Sequence, residues 1–225
     1  LQEDIFNAGD GICYPPAVKI LANDGPDLLR EILIEQVSVH FDEKKSGDLE
    51  YGLEAAHSKR RILHVGDRTG KAIMVALLRE IERRPNINIL TGHTAVDLIT
   101  FPHHARDPLA AYEPPVCHGA YVYDRVKRRV IRILASQTIL ASGGLGQIFL
   151  NTTNPNGARG DGLAMAYRAG ARVANAEYVQ FHPTAMHMPG ATKFLISEAV
   201  RGEGGVLLTP KGEAFMEHHA PKWKE

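Results

Sequence analysis

Two stretches alternate apolar and polar residues at the period of a half-buried strand: "TAVDLITF" (94–101) and "GAYVYD" (119–124). With "RVIRILASQTILAS" (129–142) they predict a β-rich middle with turn signals between the strands. The basic run "RVKRRVIR" (125–132) alternates with apolar residues, so it reads as a solvated hairpin rather than a phosphate patch. Segment 102–118 is rich in Pro and His and is expected to be an exposed loop. Helical spacing governs other parts of the chain. "RTGKAIMVALLREIERR" puts Ile73, Leu77, Leu78 and Ile81 on one face, and Asp67 can cap it. "YPPAVKILANDGPDLLREILIEQV" (14–37) predicts two short helices separated by a Gly-Pro break. Residues 45–59 are polar and read as a loop or irregular strand, and "RRILHVG" (60–66) is strand-like. "INIL" (87–90) reads as a short buried strand. A helix delivering the chain to such a strand is half of a βαβ unit, although no clear opening strand is present. "GARVANAEYVQF" (170–181) also reads as buried. There is no internal repeat.

Composition narrows the class without choosing a function. The 225 residues suffice for one large domain, or one domain and part of a second. Hydrophobic residues are 44% and charged residues 23%, as in ordinary globular chains. Acids and bases balance at 26 each, so no global charge favours nucleic acid or an anionic membrane surface. No apolar run reaches the roughly 20 residues of a membrane span. Two isolated cysteines, Cys13 and Cys117, form neither a disulfide framework nor a CxxC pair, which fits a reducing cytoplasm. The adjacent pairs His103-His104 and His218-His219, and the five-residue step from His182 to His187, do not match metal-ligand spacing. The chain starts at Leu1 without a signal peptide, and both ends look cut from something longer.

Three stretches carry candidate chemistry. "TILASGGLGQIF" (138–149) reads as a buried strand running into Gly143 and Gly144, where the bare backbone can approach another group. Ligands of α/β sheets sit beyond such strand ends, so this is a candidate cofactor edge; a plain strand-end turn explains it equally well. Asp161 lies between Gly160 and Gly162 at the start of a helix with Ala164, Ala166 and Ala169. It is either a simple helix cap or an acceptor aimed at a cofactor hydroxyl or N–H. "VQFHPTAM" then offers His182 and Thr184, and "FLISEAVRGEGG" offers Ser197, Glu198, Arg201 and Glu203 on a short helical turn. Such a donor-rich set suits a small anionic substrate, because carboxylates take several charge-assisted hydrogen bonds. A polar seam between domains is the alternative.

The order "HSKRRILHVGDRTGKAI", "ASGGLGQIFLNTTNP", "GDGLAMAYRAGA", "QFHPTAM", "LISEAVRGEGG" resembles the flavoprotein family of L-aspartate oxidase and the succinate dehydrogenase/fumarate reductase flavoprotein subunits. The resemblance covers essentially the whole chain. "GLEAAHSKRRILH" and "TTNP" are closer to the L-aspartate oxidase branch. It implies an α/β fold, α+β within this piece: part of a Rossmann-like FAD-binding domain with its β-meander (1–176), then the start of a capping domain (177–225). It implies FAD as cofactor, with Gly143, Gly144 and Asp161 on the FAD side. On the substrate side it implies Glu54 facing an amino group, and His182, Thr184, Ser197 and Glu198 holding a dicarboxylate such as L-aspartate or fumarate.

The implied reaction is oxidation of L-aspartate to iminoaspartate by hydride transfer to flavin N5, in NAD biosynthesis, with hand-off to quinolinate synthase. The family's acid/base Arg falls beyond Glu225, so no catalytic residue is assigned. The GxGxxG phosphate-binding turn is not found in the sequence, so weak FAD binding and no activity are expected of the isolated chain. A fumarate reductase or succinate dehydrogenase piece is the same-fold alternative, and a non-catalytic structural fragment is the alternative of another class. Glu54 separates the first two, since it has a partner only when the substrate carries an ammonium group.

Overall fold

A computed structural model of the chain describes residues 1–54, 57–182, 184–190, 193–196, 200 and 204–219. They form two compact units: Leu1–Asn88 with the described residues from Ile196 onward, and Ile89–Leu195.

The first unit begins with helices α1 (Gln2–Ala8) and α2 (Pro15–Leu29). The Gly25-Pro26 pair does not split α2 as expected. Pro26 lies inside it, and the chain continues directly as a π-helix over Arg30–Gln36. A proline lacks the N–H for its own helical bond and crowds the preceding turn. The helix nonetheless runs through Pro26, and the π-helix downstream is closed by the Val37 N–H reaching back five residues to Ile32 O at 2.9 Å. Strands β1 (Tyr51–Gly52) and β2 (Ile62–Leu63) pair antiparallel, which fits the irregular-strand reading of 45–59 and the strand reading of 60–66. Helix α3 (Thr69–Glu82) follows, but Asp67 does not cap it. Asp67 pairs with Arg68 at 3.4 Å, and the Thr69 hydroxyl instead accepts the Val65 N–H at 3.1 Å. Among the described residues, Val18, Val39 and Phe41 are the buried apolar side chains of this unit. A short helix, α5 (Met216–His219), also belongs to it.

The second unit is built on an antiparallel meander, β3 (His93–Phe101), β4 (Val116–Asp124) and β5 (Arg129–Leu134), in the order β3-β4-β5. Leu98 and Val122 are buried on one face, as the alternation predicts. The basic run turns at Arg128 (φ 52°), while Asp124 accepts the Val126 and Lys127 N–H groups at 3.0 Å each. A bulge between Ile99 and Thr100 brings Gly119 against β5 with φ 135°; a Cβ there would sit 1.9 Å from Ile133 O. The 102–118 segment holds a 3-10 turn (Pro108–Tyr112) whose Ala110 is buried.

Three buried readings do not hold. "INIL" is not a strand, and Ile87, Ile89 and Leu90 are exposed. Of "RVIRILASQTILAS" only 129–134 pairs; the 138–142 portion has no ladder partner, and Ile139 is 89% exposed. "GARVANAEYVQF" is irregular, with Tyr178 and Phe181 exposed. An apolar run of strand length becomes a buried strand only if neighbours pair with it, and among the described residues none does. A 3-10 turn (Gly146–Ile148) and helix α4 (Asp161–Arg168) complete the unit. No helix among the described residues is long and apolar enough to cross a membrane.

Candidate functional site

The glycine pair and the "GDG" turn are distant in sequence but form one joint. The Gly160 N–H donates to Gly144 O at 3.1 Å, and the Gln147 N–H to Ala158 O at 2.9 Å. Gly160 takes the left-handed conformation (φ 77°) that starts α4. A Cβ at Gly162 would lie 1.9 Å from Ser142 Oγ, so that glycine exists because the Ser142 side chain packs into its place. Gly143 and Gly144 differ: a Cβ on either meets no atom within 4 Å. Gly143 still needs its positive φ of 76°, but neither the backbone nor a neighbour demands a glycine at Gly144.

Asp161 is the first residue of α4 rather than its cap; Gly160 is the cap. Its carboxylate accepts from Arg159 Nη2 at 3.0 Å and stays half exposed. It lines a groove of about 400 Å³ with Thr94, Tyr123, Arg159 and Arg168. Arg168 anchors α4 to β3 by donating to Asp97 at 3.0 Å. Desolvation opposes the charge on Asp97, but hydrogen bonds from Arg168 and the Leu98 N–H outweigh it and hold the carboxyl below its usual range.

His182 and Thr184 also meet in this unit. The Thr184 N–H donates to His182 Nδ1 at 3.3 Å, and the Thr184 hydroxyl lies 3.3 Å from the same nitrogen. An N–H pointing at Nδ1 puts the ring proton of a neutral imidazole on Nε2, where it can serve as a donor. Phe181 stacks edge-on against Phe149 at 6.1 Å, and Lys193 Nζ donates to Asn151 Oδ1. These contacts tie the histidine segment to the chain just after the glycine edge. Ser197 and Glu198 lie outside the described residues.

Glu54 belongs to the first unit, two residues beyond β1. It lines a polar groove of about 600 Å³ together with Asp42, Gly52, Arg60, His64 and Asp67. Two ion-pair clusters in this unit escaped the sequence reading. Asp4 accepts from Arg61, from Ser58 N–H and from Ser58 Oγ, the last two at 3.1 Å. The Arg61 hydrogen bond and the Ser58 donors hold the Asp4 carboxyl far below its usual range. Asp42 accepts from Gly66 N–H at 2.6 Å and pairs with His64 Nδ1 at 2.9 Å. The Gly66 N–H is the main cause of a lowered Asp42 carboxyl, with His64 contributing against desolvation. Nothing local in the sequence pairs residues 22 positions apart.

Residues 2–224 match the FAD binding domain family, and the chain belongs to that family. It is 42% identical over 217 residues to L-aspartate oxidase 1 of Ralstonia nicotianae, covering 96% of this chain and 40% of that relative. It is 42% identical over 225 residues to the L-aspartate oxidase of Pseudomonas aeruginosa, covering 98% and 41%. The chain therefore spans about two fifths of the length of these curated relatives. An E. coli quinol fumarate reductase superposes with a TM-score of 0.83 at 22% identity, over 96% of this chain and 34% of that one, a likeness of fold.

Proposed function

We propose that this chain is part of an FAD-dependent L-aspartate oxidase that converts L-aspartate to iminoaspartate. One observation carries the reading: the joint between Gly143-Gly144 and Gly160–Gly162, in a chain 42% identical to L-aspartate oxidases over nearly its whole length. The residues fit an FAD edge. The backbone at Gly144 is bare without any steric need of the chain, and Asp161 supplies an acceptor at the mouth of α4. Gly143, Gly144 and Asp161 would hold the cofactor. FAD, when bound, supplies the two-electron acceptance that an amino-acid oxidation requires.

The chain's own residues bind and orient the substrate. His182 donates from Nε2 to one carboxylate, and Thr184 fixes the ring that does so. By the resemblance, Ser197 and Glu198 also bind the dicarboxylate. Glu54 faces the α-ammonium, a contact that succinate and fumarate cannot make. Holding the reacting carbon in place can contribute roughly 7–11 kcal/mol of a barrier. Residues 1–176 form part of the FAD-binding domain and 177–225 the start of the cap in this reading. The parent enzyme acts in the cytoplasm on NAD biosynthesis, and its unstable imine product calls for hand-off to quinolinate synthase. The isolated chain, which carries no GxGxxG turn, is inactive and holds FAD weakly.

The test is product analysis with the full-length parent. L-aspartate and a dye acceptor should yield ammonia and oxaloacetate, the hydrolysis products of iminoaspartate, in equal amounts. Dye reduction by succinate with none by L-aspartate would reject the reading.

A further inference from the structure

We propose that the Asp42–His64 pair, wedged against Gly52, is the positioning element that fixes Glu54 for recognition of the substrate's amino group. The inference rests on the role given to Glu54 above. Asp42 stands at the base of the β1–β2 hairpin and is bonded to both sides of it. Its backbone N–H donates to His64 O, and its backbone O accepts from Glu50 N–H, both at 2.9 Å. Its carboxylate then takes His64 Nδ1 at 2.9 Å and Gly66 N–H at 2.6 Å. The imidazole is thus held at one nitrogen, and its other edge lies over Gly52. A Cβ on Gly52 would come within 3.3 Å of His64 Cδ2 and 3.8 Å of Nε2. Gly52 has no positive φ, so a side chain there would press on the ring rather than strain the backbone.

This arrangement bears on Glu54 because of sequence distance and place. Gly52 is the last residue of β1, and Glu54 follows two residues later on the wall of the groove that His64, Arg60 and Asp67 also line. A two-residue strand has little ladder of its own to set its direction. Backbone bonds from Arg61 N–H to Gly52 O at 3.1 Å and from His57 N–H to Glu54 O at 3.2 Å hold the chain here, and the carboxylate-held ring against Gly52 adds a side-chain constraint to them, as a second layer of contacts commonly does for a binding group. A loose hairpin would still bind a dicarboxylate through other residues. It would lose selectivity for the amino group.

The test uses the full-length holoenzyme with Asp42→Asn, His64→Leu, His64→Asn and Gly52→Ala, each alone and combined with Glu54→Gln. The readouts are KM for L-aspartate and Kd for succinate. Asp42→Asn and His64→Leu should raise KM about tenfold while moving the succinate Kd less than twofold. His64→Asn, which keeps a donor near Nδ1, should recover much of the loss. Gly52→Ala keeps both side chains of the pair and tests the wedge alone; a rise of about threefold is expected. In the double variants the two losses should not add, because a misdirected Glu54 and an absent one are equivalent. Full additivity with Glu54→Gln, or equal losses for L-aspartate and succinate, would overturn the proposal while leaving Glu54's role intact. If Glu54→Gln alone leaves the L-aspartate KM unchanged, the reading of Glu54 fails first, and this inference with it. A His64→Leu protein that loses its flavin and its helical content would assign the pair to folding and also overturn it.

Discussion

The meander and the glycine edge of the same unit use glycine for opposite reasons. At Gly119 the chain itself occupies the place of a side chain: Ile133 O would be 1.9 Å from a Cβ, and φ is 135°. At Gly144 a Cβ would meet no atom of the described residues within 4 Å, and φ is not positive. The first glycine serves the fold, and removing it must cost stability. The second meets no such need, as is also true of Gly70 and Gly157, so its role rests on the proposed FAD edge. Gly162 stands between them: a Cβ there would clash with a side chain, Ser142 Oγ at 1.9 Å, rather than with the backbone.

Gly119→Ala should have the largest effect. Strain at a glycine-only φ costs about 1–3 kcal/mol, and overpacking about as much again. Urea unfolding should register a loss of roughly 2–5 kcal/mol; a loss under 1 kcal/mol would mean that the bulge relaxes freely. His182→Ala in the full-length enzyme should cost about 1.5–3 kcal/mol in kcat/KM for L-aspartate, the worth of a hydrogen bond to a charged group. Unchanged kinetics would make His182 a seam residue. Gly162→Ala should destabilise by roughly 1–3 kcal/mol, and Ser142→Gly in the same chain should recover most of it. Failure of that rescue would show that Ser142 is not the obstacle.

The acid limb offers a smaller effect. Asp124 sits at 5% exposure with its carboxyl lowered first by the Lys127 N–H, despite desolvation, and further by Val126 and His93. A carboxyl lowered in the folded state contributes stability that is complete above its unfolded pKa of about 3.9 and is lost as pH falls through the folded value. Asp124→Asn should therefore flatten the fall in unfolding free energy below about pH 4. An unchanged acid slope would contradict the assignment. Gly144→Ala should do least to stability, within about 0.5 kcal/mol of wild type, yet weaken FAD binding measured by fluorescence titration of the full-length apoenzyme. Equal FAD affinity would remove Gly144 from the cofactor edge.

The same contrast explains what the sequence could reveal. The alternation over 94–101 and 119–124 reports which face is buried, and the strands pair with near neighbours, so β3, β4 and β5 were legible. "INIL" and "TILAS" have strand chemistry but no described partner, and periodicity does not say who a strand's neighbours are. The Gly-Pro in α2 misled because a single local breaker does not by itself end a helix that continues on both sides of it. Gly143, Gly144 and Asp161 were found as motifs, but their union in one joint was not, since it depends on a fold-back between distant segments. The Asp42–His64 pair stayed hidden for the same reason. His182 and Thr184 were candidates from their donor chemistry, whereas Glu54 was a candidate only through family resemblance. As isolated residues they are ordinary.

Anaerobic mixing of L-aspartate with the full-length holoenzyme, wild type and Glu54→Gln, followed by flavin absorbance, tests the central claim most directly. The account predicts rapid bleaching of the wild-type flavin by L-aspartate. It predicts bleaching slowed at least tenfold in Glu54→Gln, with succinate binding nearly unchanged. Bleaching by succinate as fast as by L-aspartate, with Glu54→Gln without effect on either, would contradict it.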